Sequence, residues 1–140
     1  MSKFLSPLQV EEIEDRSHDG RGTWKLLAAL VYQSDRANTV IVVPVGFVTD
    51  FASVPRIPIA FLLTGDTAHS AAVVHDWLYT THTVDRATAD AVLQEAAAAA
   101  GVPAWRRWLM WAGVRVGGAG PWAAPGQTQP PKVAALLEAA

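Results

Sequence analysis

His75 and Asp76 stand side by side in the apolar run AVVHDWLY, residues 72–79, and a further carboxylate, Asp90, follows within VDRATADAV. A neutral imidazole can take a proton from water when a carboxylate fixes its tautomer through the other ring nitrogen. In that arrangement His75 is the base and Asp90 the group that orients it. Asp76 points about 100° away on a helix and can ligate a hard cation such as calcium, which would stabilise a developing oxyanion. Asp50, closing the run VGFVTD, is the second candidate metal ligand, with carbonyls of the following loop as further oxygens. The same side chains have a structural use. A His75–Asp90 hydrogen bond would staple two helices, with Asp76 or Asp50 paired to Arg86 or Arg56, and breaking such a buried pair is costly. Both readings stay open on sequence alone. Ser53 has no nucleophile elbow around it and suits a turn with Asp50, stiffened by Pro55. His69 lies about 240° round the helix from His75, so the two do not share a face.

For these groups to meet, the chain must fold into a helical hairpin. The spacing predicts one helix from Thr67, as N-cap, to about residue 81, and a second capped by Asp85 and ended at Gly101. With the reversal near Thr83, position 75 lies opposite about 91 and position 76 opposite about 90, so Asp90 can reach the face carrying His75 or Asp76. A third helix, PAWRRWLMWAGVRVG, opens on Pro103 and stops at Gly117 and Gly118. Upstream, LQVEEIEDR, TWKLLAALVYQ and NTVIVVPVGFVTD read as strands separated by the turn clusters SHDGRG and SDRAN. They predict an antiparallel meander of about three strands. DFASVPRIPIAFLLTGD, interrupted by Pro55 and Pro58, reads as a loop with a short helical turn around Ile59 to Leu63. The expected fold is α+β: a small N-terminal antiparallel sheet followed by three packed helices. Residues 1–118 form one domain, and 119–140 a Gly/Pro-rich linker with a short C-terminal helix, KVAALLEAA, that needs a surface to dock on.

Composition narrows the function classes. The 140 residues are 51% hydrophobic with a net charge of −2, which speaks for a packed core and against a general nucleic-acid binder. There is no cysteine, so disulfides and thiolate metal sites are excluded. Neither a signal peptide nor a transmembrane segment is expected. Charge is unevenly spread: Glu11, Glu12, Glu14, Asp15 and Asp19 cluster early, whereas residues 101–122 carry Arg106, Arg107 and Arg115 without an acid. Trp105, Trp108 and Trp111 drift slowly round one face of the third helix beside those arginines. They suit either a core-facing helix or a protein contact, since Trp and Arg are the usual anchors of interfaces. Docking on a membrane surface ranks below protein contact, given few lysines and no long basic face. With Leu136 and Leu137 of the last segment, Trp105, Arg106, Trp108, Trp111 and Arg115 make the expected interface set.

GFVTDFASVPR (46–56), HDWLY (75–79) and RATAD (86–90) together resemble a widespread phage and prophage family of small proteins with no assigned activity, over roughly residues 20–122. That resemblance implies phage or prophage origin, a place in the host cytoplasm or the virion, and partners among other phage proteins or a second copy of the chain. A second resemblance, to secretory phospholipase A₂, rests on the His-Asp helix packed against a carboxylate-bearing helix. It implies His75 as base, Asp76 as calcium ligand, Tyr79 as a network residue and Asp90 as the orienting group. The disulfides and the glycine-rich calcium loop of that family have no counterpart here. The leading expectation is a phage-type accessory protein associated with the virion or its assembly through protein contacts. The alternative is a calcium-assisted hydrolase of esters, phospholipids among them.

Overall fold

The computed structural model of the chain describes residues 1–14, 23–49 and 68–123. The expected turn at 17–22, the cap Thr67, the loop carrying Asp50, Ser53 and Pro55, and the C-terminal segment with Leu136 and Leu137 lie outside them. Among the described residues the order is β1 (Lys3–Phe4), β2 (Val10–Glu14), β3 (Thr23–Leu26), β4 (Leu30–Ser34), β5 (Thr39–Val43) and β6 (Val48–Thr49). Then come α1 (His69–Thr81), α2 (Arg86–Ala99), α3 (Ala104–Gly117) and the one-turn α4 (Ala119–Ala123). The α+β class read from the sequence is the class observed.

The sheet differs from the expected meander. Two three-stranded antiparallel sheets form, in the orders β1–β4–β5 and β2–β3–β6. TWKLLAALVYQ and NTVIVVPVGFVTD, each of which reads as one strand, are each broken into two, and the halves join different sheets. The break in the second run has a physical cause. Pro44 has no N–H to give a ladder, and Gly46 takes a φ of +87° that a side chain would resist. The two breaks meet at one corner, where the Leu26 N–H donates to the Phe47 carbonyl at 2.9 Å and the Gly46 N–H to the Leu26 carbonyl at 2.8 Å.

β4 and β5 show the two-residue period of a half-buried sheet. Leu30, Tyr32, Ile41 and Val43 point into the core, while Val40 and Val42 point out. α1 and α2 pack on this sheet, and α2 also contacts α3. α1 buries residues nearly all round, from Ala71 to Tyr79, as a central helix does. It ends at His82, which adopts the left-handed conformation with φ 54°. Asp85 then caps α2, its carboxylate accepting the Thr88 N–H at 3.1 Å. Gly101, with φ +92°, carries the chain out of α2. α2 is rich in alanine on its buried side (Ala89, Ala96 and Ala97), so its neighbours approach closely. α3 buries only Met110 and Val114, and no helix among the described residues is long and apolar enough to cross a membrane.

Residues 119–123, expected as the start of a linker, instead form α4. Trp122 stacks on the His82 ring at 3.7 Å between centroids and meets Tyr79 edge-on at 5.1 Å. These ring contacts hold the segment against the C-terminal end of α1.

Candidate functional site: a buried His-Asp-Arg network

The helical hairpin brings His75 of α1 against Asp90 of α2. Nε2 of the imidazole lies 2.8 Å from the carboxylate Oδ1, and both side chains are 0% exposed. Tyr79, one turn after His75, donates its hydroxyl to the same Oδ1 at 2.6 Å. Arg115 of α3 donates Nη1 to Oδ2 at 2.8 Å. Asp90 therefore ties all three long helices through one carboxylate. Arg86, one turn before Asp90, completes the cluster. Its Nε donates to the Tyr79 hydroxyl at 3.3 Å, and its Nη2 to the carbonyls of Val114 and Arg115 at 2.8 and 2.9 Å. Those carbonyls belong to the last turn of α3, where a cation is favoured by the helix dipole.

Gly118 lets the end of α3 come this close. A Cβ there would collide with the Val114 carbonyl and stand 2.5 Å from the Tyr79 hydroxyl and 3.2 Å from Nη2 of Arg86.

The electrostatics follow from burial and charge. Burial holds the His75 pKa below its ordinary value of 6.5 against the pull of Asp90, and Arg86 pushes the same way as burial. Among the described residues Arg86 and Arg115 already outnumber the one carboxylate of the cluster, so a protonated imidazole would add to its positive charge. His75 is neutral and donates Nε2–H to Asp90. Burial works to raise the Asp90 carboxyl, but the hydrogen bonds from His75, Tyr79 and Arg115 outweigh it and hold the pKa low. Burial and then the Asp90 hydrogen bond push the Tyr79 phenol well above its ordinary range, so it stays a donor.

Asp76 lies on another face of α1, where its Oδ2 accepts the Thr49 hydroxyl at 2.5 Å and links α1 to the end of β6. Among the described residues no group of three His, Asp or Glu side chains converges as a metal site. Asp76 by itself offers calcium one carboxylate of the six to eight oxygens it takes, and Asp50, its expected co-ligand, lies outside the described residues.

The expected interface residues divide. Trp105 and Trp108 are each 55% exposed, Leu109 is 40% and Val116 87% exposed, whereas Trp111 and Arg106 are half-buried. At 100° per residue, positions 105, 108, 109, 112 and 116 span about 100° of α3, opposite Met110 and Val114. The arrangement is an apolar stripe facing away from the core, not the core-facing helix that the tryptophans also allowed. Arg115, expected on that stripe, turns inward to Asp90. The structural reading offered Arg86 or Arg56 as partners for Asp76 or Asp50; Asp50 and Arg56 lie outside the described residues, and Arg86 serves Tyr79, α3 and, at i,i+4 spacing, Asp90. Glu95, which gathers Tyr32, Ser34 and the Arg36 N–H at 2.8, 2.7 and 2.9 Å, had no signal in sequence.

A family model described as a protein of unknown function (DUF1353) matches residues 24–114, a span that includes both HDWLY and RATAD. No curated protein and no solved structure matches the chain.

Proposed function

We propose, from the premise that this chain belongs to the DUF1353 family, that it acts through protein contacts as a phage-type accessory protein associated with the virion or its assembly. The observation that carries this reading is the outward apolar stripe on α3, with Trp105 and Trp108 each 55% exposed, set beside a His75–Asp90 pair that is 0% exposed. Large apolar side chains at helical spacing on the surface are what an interface uses. The His-Asp-Arg network, on this reading, holds α3 rigid so that the stripe is presented in a fixed geometry. The phage setting rests on the three ordered motifs in the sequence. The test is co-sedimentation with phage particles or assembly intermediates produced together with the chain. Wild type is expected in the particle fraction, and Trp108→Ser is expected in the supernatant with an unchanged Tm. Equal partition of the two proteins would overturn the reading.

A second reading keeps the ester hydrolase, and one observation favours it: Nε2 of His75 and Oδ1 of Asp90 meet at 2.8 Å, the geometry of a base and its orienting carboxylate. Full burial of the imidazole speaks against it, because a base must reach the proton it removes. Hydrolysis of a chromogenic ester or of phospholipid vesicles, with calcium or with chelator, decides between them. Turnover that His75→Ala abolishes while the fold persists would establish the enzyme. No turnover by the folded wild type would dismiss it.

A further inference from the structure

On the far side of α2 from His75, a cleft of about 580 Å³ opens between that helix and the turn joining β4 to β5. Its size falls in the range of small-molecule sites. Its lining includes Ala98 and Ala99, whose short side chains leave space, and the charged side chains of Arg36, Arg107, Asp35 and Glu95.

The acids of this cleft are already engaged. Glu95 accepts the Tyr32 and Ser34 hydroxyls on one oxygen and the Arg36 backbone N–H on the other. Asp35 is ion-paired to the Met1 amino group at 3.2 Å. The cations are not. The Arg36 guanidinium takes no hydrogen bond or ion pair among the described residues, and Arg107 spends one N–H, from Nη1 to the Val102 carbonyl at 3.0 Å. The turn that carries Arg36 is fixed by Glu95 and by the Ser34 hydroxyl, which accepts the Ala37 N–H at 3.0 Å. Occupied acceptors and open guanidinium forks on a braced turn are the complement of an oxyanion, which Arg binds through paired N–H groups.

We propose that this cleft binds the carboxylate or phosphate of a small polar molecule, with Arg36 and Arg107 as the anion ligands and the Gln94 amide and Ser2 hydroxyl facing its body. The site is separate from the His75 network and independent of the contact role of α3. The test is calorimetric titration of the full chain at low salt with inorganic phosphate, glycerol 3-phosphate and acetate, followed in parallel by NMR of the arginine Nε–H groups. Saturable binding of at least one probe is expected, with the Arg36 and Arg107 signals shifting. Tight phosphate and weak acetate assign the site to phosphorylated ligands; the reverse assigns it to carboxylates. Arg36→Gln should weaken binding about tenfold or more, as loss of a charge-assisted contact does, with Tm unchanged because its guanidinium supports nothing in the fold. Absence of saturable binding by all three probes would overturn the proposal, as would Arg36→Gln binding like wild type.

Discussion

Asp90 accepts from His75, Tyr79 and Arg115, side chains that come from both helices flanking its own. Removing its charge leaves the Arg86 and Arg115 guanidiniums facing a neutral amide, without their counter-charge among the described residues. Asp90→Asn is therefore expected to cost about 3–5 kcal/mol, the usual penalty for breaking a buried ion pair from one side; urea denaturation would measure it. A loss below about 1 kcal/mol would mean that Asp90 is not the centre of the cluster. The imidazole adds a pH dependence. Its folded-state pKa lies below 6.5, so the folded protein binds fewer protons there than the unfolded chain. That contribution to stability is complete above about pH 6.5 and declines as pH falls towards the folded value. Asp90, also depressed, adds a second loss of the same sign, beginning below its ordinary 3.8. Tm measured between pH 7.5 and 5 should fall, and His75→Gln should flatten that limb; a wild-type Tm that rises on acidification would refute a neutral buried His75.

At the level of elements, α3 has two faces with different duties. Met110, Val114 and the backbone carbonyls held by Arg86 fasten it inward, and Trp105, Trp108 and Val116 look outward. Its inward seat depends on the missing side chain at Gly118. Because an added methyl would collide with the Tyr79 hydroxyl, Gly118→Ala must displace either the phenol or the end of the helix. Such overpacking is expected to cost about 1–3 kcal/mol in thermal or chemical denaturation. A neutral Gly118→Ala would show that the end of α3 yields freely. The outward face carries the opposite expectation: serine at 108 leaves stability alone and changes only association.

For the molecule as a whole, the Asp90 cluster and the core join parts that would otherwise be separable. α1 and α2 pack on the β1–β4–β5 sheet, Leu26 and Phe47 bring the end of the β2–β3–β6 sheet into the same buried core, and Arg115 adds α3. A domain tied in this way should unfold as one unit. Tryptophan fluorescence, reporting on Trp24, Trp77 and the α3 indoles, and far-ultraviolet circular dichroism, reporting on helix, are expected to give coincident transitions. Two separated transitions would show that the helices and the strands are energetically independent.

Local pattern sufficed for the α+β class, for the helices either side of residue 83, and for the ends set by Asp85 and Gly101. It brought Asp90 within reach of His75 or Asp76 as well, because helical period and a short reversal limit which residues oppose one another; packing gave the carboxylate to His75. These are short-range consequences of backbone geometry and turn chemistry, and they survive folding. What the chain left open was decided at long range. TWKLLAALVYQ reads as a single strand until the corner at Leu26 and Phe47 is seen to divide it between two sheets, a matter of which partners pair. The tryptophans of α3 allowed either a core or a surface role until Met110 and Val114 took the inward side. Arg115 left the expected contact set because α3 docks where its guanidinium reaches Asp90, 25 residues away in sequence. Periodicity reports which residues share a face; only packing decides what that face meets.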